Sequence, residues 1–230
     1  MPRKLYSIIL SLIFIVQLYG QYTNHILLVT FAKIFFFATL LLWLFVATKL
    51  KGRFHKRIFT GLIFALVNTI FFSLQAKNTW FFIYGIISIL LCYVFYIRAY
   101  TLDHKSNPEY KNPYILWVIG GFATYCSGMF FYLQPSLGAM QFPVLMFAII
   151  ITFMAIMAFN RYGKVNVYSF QLIFVGSLFL ILANSVWAIT MFKQPIPQSE
   201  ALNSGALLIA QYLIIYGTIT RQLLITKTEI

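Results

Sequence analysis

Eight apolar stretches follow one another along the 230 residues, and the lysines and arginines between them fall almost wholly on alternate sides. That ordering leaves little choice of fold. A helix needs about 20 apolar residues to cross the hydrocarbon core of a bilayer. The sequence predicts spans near 5–22, 25–48, 57–75, 80–100, 113–133, 138–160, 166–192 and 201–224. Only 9% of the residues are charged and 61% are hydrophobic. A soluble domain carries about a quarter charged residues, so an ordinary water-facing surface cannot be built. The linkers are short and neighbouring helices must run antiparallel. The expectation is an all-α, multi-pass membrane helix bundle, a single integral-membrane domain over residues 1–230.

The net charge of +13 would suit nucleic acid if it were spread over one face. Its positions argue against that reading. Arg3 and Lys4 precede the first span. Lys49, Lys51, Arg53, Lys56 and Arg57 lie between the second and third. Arg98, Lys105 and Lys111 follow the fourth, Arg161 and Lys164 the sixth, and Arg221 and Lys227 the eighth. With eight spans all of these share one side, and the other side keeps only Lys77 and Lys193. This is the positive-inside bias, and it predicts that both termini are cytoplasmic. The basic loops would also attract anionic lipid headgroups. Arg3-Lys4 ahead of an apolar run has the look of a signal peptide, but no small-residue cleavage site stands around Tyr19-Gly20-Gln21. The first span is expected to be retained; its removal would leave seven.

Cys92 and Cys126 both fall inside spans, and His25, His55 and His104 sit at span edges or in loops. No metal-ligand spacing, phosphate-binding glycine loop or nucleophile elbow is present, so no metal or cofactor is expected. The stretch from Thr101 to Asn112, with Asp103, His104, Lys105 and Glu109, reads as a solvated turn broken by Pro108 and Pro113. A faint echo links Phe64-Ala-Leu-Val-Asn68-Thr to Leu180-Ile-Leu-Ala-Asn184-Ser, two spans of the same direction. It fits a four-plus-four repeat or a coincidence between apolar helices.

Polar side chains inside spans are the informative exceptions. Lys33, Asn68, Asn184 and Gln211 interrupt spans two, three, seven and eight. At about 1.5 Å per residue they lie roughly 10–15 Å below the outer ends of their helices. Tyr93 and Tyr96 of span four lie roughly 20–24 Å deep. Convergence on one outward-facing pocket, floored by the tyrosines, would relieve the cost of a lysine in hydrocarbon, about 2.5–3.5 kcal/mol on insertion scales. The competing arrangement lets Lys33 snorkel to the interface, while the asparagines join helices by hydrogen bonds of about 0.6–2 kcal/mol each. The acidic residues, Asp103, Glu109, Glu200 and Glu229, all fall outside the predicted spans. No carboxylate is expected to relay protons or act as acid or base within the membrane.

Five features in order resemble the YhhN/lysoplasmalogenase family of eight-span membrane proteins. The longest is Gly176-Ser-Leu-Phe-Leu-Ile-Leu-Ala-Asn-Ser-Val-Trp-Ala-Ile-Thr-Met-Phe192, where the family has a glycine, an apolar run, Ser-Asp and an apolar stretch closing on Phe. The others are Lys33, where the family has Lys-Pro, Val67-Asn68 for Gly-Asp, Tyr93-Val-Phe-Tyr96 for His-x-x-Tyr, and Ala210-Gln211 for Ala-Gln. The resemblance implies hydrolysis of the vinyl-ether bond of lysoplasmalogens, with membrane lipids, a lysophospholipid among them, as partners. It places candidate catalytic positions at Asn68, Asn184 and Tyr93, and substrate-binding ones at Lys33, Tyr96 and Gln211. Both family aspartates are asparagine here, the histidine is Tyr93 and the proline is Ile34. A carboxamide hydrogen-bonds but exchanges no proton near neutral pH. The expected function is therefore a lipid-binding cleft with hydrolysis weak or absent. The alternative is a small-molecule permease or sensory module without chemistry.

Overall fold

The computed structural model describes residues 2–75 and 77–224, and these form eight α-helices and one short 3-10 turn. The helices are α1 (Pro2–Tyr22), α2 (Ile26–Thr48), α3 (Arg53–Leu74), α4 (Thr79–His104), α5 (Ile115–Leu137), α6 (Gln141–Phe159), α7 (Val167–Phe192) and α8 (Ser199–Ile219). Seven helical stretches are long and apolar enough to cross a membrane, one of them the 45 residues from Ile115 to Phe159. That stretch doubles back at Gly138, whose φ of 51° is costly for any side-chain-bearing residue. The fold-back brings the rings of Tyr114 and Tyr162 to 6.1 Å.

Helices α2, α3, α4, α6, α7 and α8 form a closed ring in which each packs on the next and α8 returns to α2. Helix α1 lies against α2 and α8, and α5 against α6 and α7. Spans two, three, seven and eight are thereby connected, since α3 touches α2 and α8, and α8 touches α2 and α7. Backbones come closest between α7 and α8. A Cβ on Gly176 would meet the Ala210 carbonyl oxygen at 2.9 Å, and one on Gly217 would meet a side-chain carbon of Ile173 at 2.7 Å. Small residues allow this approach where apolar area alone gives no advantage over lipid.

The two ends of the bundle differ in chemistry. At one end Phe72, Phe82, Trp187 and Phe192 form an aromatic cluster across α3, α4 and α7. Gln21 there donates to the Glu200 carbonyl and to Ser204 Oγ, both at 2.9 Å. The other end is basic, and it departs from the sequence expectation. Helix α4 runs four residues beyond 100, because Thr101-Leu-Asp-His offers no breaker before Pro108. Asp103 therefore stands in the last helical turn rather than in a solvated loop. It is fully buried and bonds Arg161 Nε at 2.8 Å and Arg221 Nε at 2.8 Å. Arg161 also donates to Ser169 Oγ, which donates to the Gly217 carbonyl at 2.7 Å. Both guanidinium groups lie over the Phe54 ring, at 5.6 and 4.2 Å. The chain after α8 likewise leaves the helix at Thr220 rather than at 224. It turns along the α6–α7 connection, where Leu224 N bonds the Lys164 carbonyl and Asn166 N the Gln222 carbonyl.

Candidate functional site

Helix α4 carries Cys92, Tyr93, Tyr96, Ala99 and Tyr100 at the three- and four-residue spacing that aligns side chains on one face, and all five are fully buried. No Cα of α4 comes within 8 Å of one in α7 or α8. The phenol rings bridge that gap. Asn184 Nδ2 of α7 donates to Tyr93 Oη at 2.7 Å and to its own helix at the Leu180 carbonyl, also at 2.7 Å. Tyr96 Oη donates to Gln211 Oε1 of α8 at 2.7 Å. Two tyrosine–amide pairs thus cross the interior of the ring. The alternative to each is an unpaired polar group in an apolar medium.

The six sequence candidates divide between four settings. Tyr93 meets Asn184, and Tyr96 meets Gln211. Gln211 sits about 18 Å along α8, between the layer expected of it and that of the tyrosines. Asn68 instead ties α3 to the α4 backbone through the Gly85 carbonyl at 2.9 Å. Lys33 stands apart. It is half-buried on α2, and the charge that acts on it is Glu200 at the start of α8. Among the described residues no hydrogen bond or ion pair joins it to the amides. Among the described residues Asn68, Asn184 and Gln211 each hold a different partner, and none of them bonds another of the four. The asparagines are joined to helices, Asn184 through Tyr93, which was expected both as part of a floor and as a candidate catalytic position.

Asn184 also opens outward. With Ser185 it lines a cavity of about 50 Å³ between α5, α6 and α7, whose other walls include Met129, Phe130, Phe147 and Ile181. Tyr125 of α5 reaches across it to hydrogen-bond Ser185 Oγ. The cavity is otherwise mostly apolar, with Thr152 as a further polar residue in its wall, and it could take a hydrocarbon chain end.

Two buried features escaped the sequence reading. Gln17 of α1 is fully buried, and neither of its amide atoms has a hydrogen-bond partner among the described residues. Its signal was available as an amide that interrupts the apolar run of the first span. The Asp103–Arg161–Arg221 cluster gave no such signal, because its members are far apart in sequence and each stands beside polar neighbours. Among the described residues no group of three His, Cys, Asp or Glu side chains is assembled that could hold a metal ion.

Gly61 controls one of the pairs. A Cβ there would lie 2.6 Å from Cε1 of the Tyr96 ring and 3.1 Å from the Cys92 carbonyl oxygen. The ring is fully buried and has nowhere to move without leaving Gln211. Gly61→Ala is expected to destabilise by about 1–3 kcal/mol through overpacking, measured by unfolding in detergent. Gly121→Ala, at a glycine with open space around it, should stay within about 0.5 kcal/mol of the parent.

A ring of apolar helices bridged by buried phenol–amide pairs defines a polytopic membrane protein of the helical class. The model of the YhhN family matches residues 8–218, nearly the whole chain, and the protein belongs to that family. No curated protein and no solved structure matches it.

Proposed function

We propose that this YhhN-family protein binds a single-chain lipid at the Tyr93–Asn184 pair, with vinyl-ether hydrolysis weak or lost. The observation that carries the reading is Asn184 itself. It bonds the buried Tyr93 hydroxyl on one side and lines the apolar cavity between α5, α6 and α7 on the other. A chain in that cavity would bring its first polar atoms to the Asn184 amide and the Ser185 hydroxyl. Enol-ether hydrolysis needs an acid to protonate carbon and a base to deliver water to the oxocarbenium ion. The interior offers carboxamides and phenols in their place. A phenol with an ordinary pKa near 10 is a poor acid at neutral pH. Lys33, on α2 rather than on the helices that line the cavity, would serve as the partner of a headgroup phosphate.

Purified protein in uncharged detergent should be stabilised against heat by a vinyl-ether lysophospholipid while releasing little or no aldehyde. Asn184→Leu should remove that stabilisation, and Lys33→Ala should reduce it if the ammonium holds the headgroup. Vigorous aldehyde release by the unaltered protein would overturn the loss of chemistry. An undiminished response in Asn184→Leu would overturn the site.

The same reading places eight crossings in the membrane with the basic end in the cytoplasm. In a Cys126→Ser background, a membrane-impermeant maleimide added to intact cells should label Lys193→Cys and spare Lys105→Cys until the membrane is opened. The reverse pattern would invert the topology.

A further inference from the structure

The basic end holds a second cavity, on the opposite side of the protein from the lipid site proposed above and independent of it. It measures about 620 Å³ and lies between the α4–α5 connection and the α6–α7 turn. That is the size of a small-ligand site rather than of a single ion. Its lining includes His104, Lys105, Lys111 and Lys164 together with Tyr110 and Asn112, and the acid of that connection, Glu109, does not line it.

Two of these groups are buried and incompletely used. Lys164 is 1% exposed. Its ammonium has three N–H donors and spends two on His104, one on the carbonyl oxygen at 2.7 Å and one on Nδ1 at 3.0 Å. Accepting at Nδ1 places the ring proton of a neutral His104 on Nε2. The third lysine donor remains for a ligand, and burial holds the ammonium below the ordinary lysine range, a cost that an anion would offset. Asn112 is 7% exposed, its Oδ1 accepts from Tyr114 N, and its buried Nδ2 has no partner among the described residues. A buried donor left unpaired costs about 1–3 kcal/mol.

The cavity is held in shape by Tyr110. Its ring lies directly on Gly163, whose φ of 71° and absent Cβ both suit that contact. Ile115 and Leu116, at the start of α5, also line it, and Leu116 is exposed. The site therefore has a cationic interior with an apolar rim at the level where a span begins.

We propose that this cavity binds a phosphate group, carried by an anionic phospholipid whose chains leave along the exposed start of α5. Phosphate supplies several acceptor oxygens for the spare Lys164 donor, Asn112 Nδ2 and the two exposed lysines, and its charge balances a cluster that has no acid of its own.

The test uses the full chain in uncharged detergent, titrated at constant ionic strength with dioctanoyl phosphatidic acid in one arm and inorganic phosphate in the other, with thermal unfolding as the readout. A saturable rise in melting temperature in the lipid arm alone is the expected result. A rise of equal size with inorganic phosphate would support the same site with a free phosphoryl ligand. The variant K105Q/K111Q changes two exposed side chains and should melt like the parent without ligand. It should need at least tenfold more ligand for half its response. Absence of a rise in both arms would overturn the proposal, and so would an unchanged half-saturating concentration in the variant.

Discussion

Asp103→Ala is expected to cost about 3–5 kcal/mol of stability, the range found when one partner of a buried ion pair is removed. Asp103 and Arg161 are each 0% exposed and Arg221 only 13%. Without the carboxylate two guanidinium groups face one another over the Phe54 ring with no counter-charge. The loss spreads, because the three residues tie the end of α4, the α6–α7 turn and the segment after α8 together. Unfolding of the purified protein in mixed micelles by added denaturing detergent measures it. Asp103→Asn keeps an acceptor oxygen and should lose less. Replacing all three by apolar residues of similar volume, D103L with R161M and R221L, should recover most of the loss, since no buried charge then remains unpaired. An Asp103→Ala protein that unfolds with the parent would refute the argument, and a triple variant as unstable as the single one would show that charge is not its basis.

The helical class and the order of its elements were open to reading because lipid solvation acts on every residue of a span at once. Any stretch of about 20 apolar residues carries the signal, and most predicted ends lie within four residues of those observed. Two of the larger departures have local causes. Helix α4 continues to His104 because burial of Asp103 against Arg161 and Arg221 supplies what a single stretch of sequence cannot show. Helix α8 stops short because Gln222 and Leu224 find backbone partners on the α6–α7 turn.

The site was legible only as a set of positions. Asn68, Asn184, Gln211, Tyr93 and Tyr96 all proved to make hydrogen bonds between helices. Depth along an axis says nothing about azimuth, however, so their pairing could not be read. Depth grouped Lys33 with the amides, whereas among the described residues no hydrogen bond joins it to them. It set the tyrosines apart as a floor, whereas a phenol reaches far enough to join a residue a turn or more nearer the outer end.

Asn68→Asp with Asn184→Asp is expected to raise aldehyde release from a vinyl-ether lysophospholipid by about 100-fold or more, within the range that positioned acid–base groups contribute. The two positions differ in what they face. At residue 68 the present partner is the Gly85 carbonyl oxygen, an acceptor. Only a carboxyl that keeps its proton can donate there. At residue 184 the partner is the Tyr93 hydroxyl, which now receives a bond from the amide but is itself able to donate. A carboxylate would turn that bond around and accept from the phenol. Two carboxyl groups in unlike settings, one suited to the acid form and one to the base, match the division of labour that such a reaction requires. Each single variant supplies half of the pair and should fall well short of the double. Aldehyde yield per unit of folded protein, checked by gel filtration and thermal unfolding, is the measurement. A double variant that stays folded, still gains stability from the lysolipid and releases no aldehyde would show that Asn68 and Asn184 hold helices together without occupying the positions of a reacting pair.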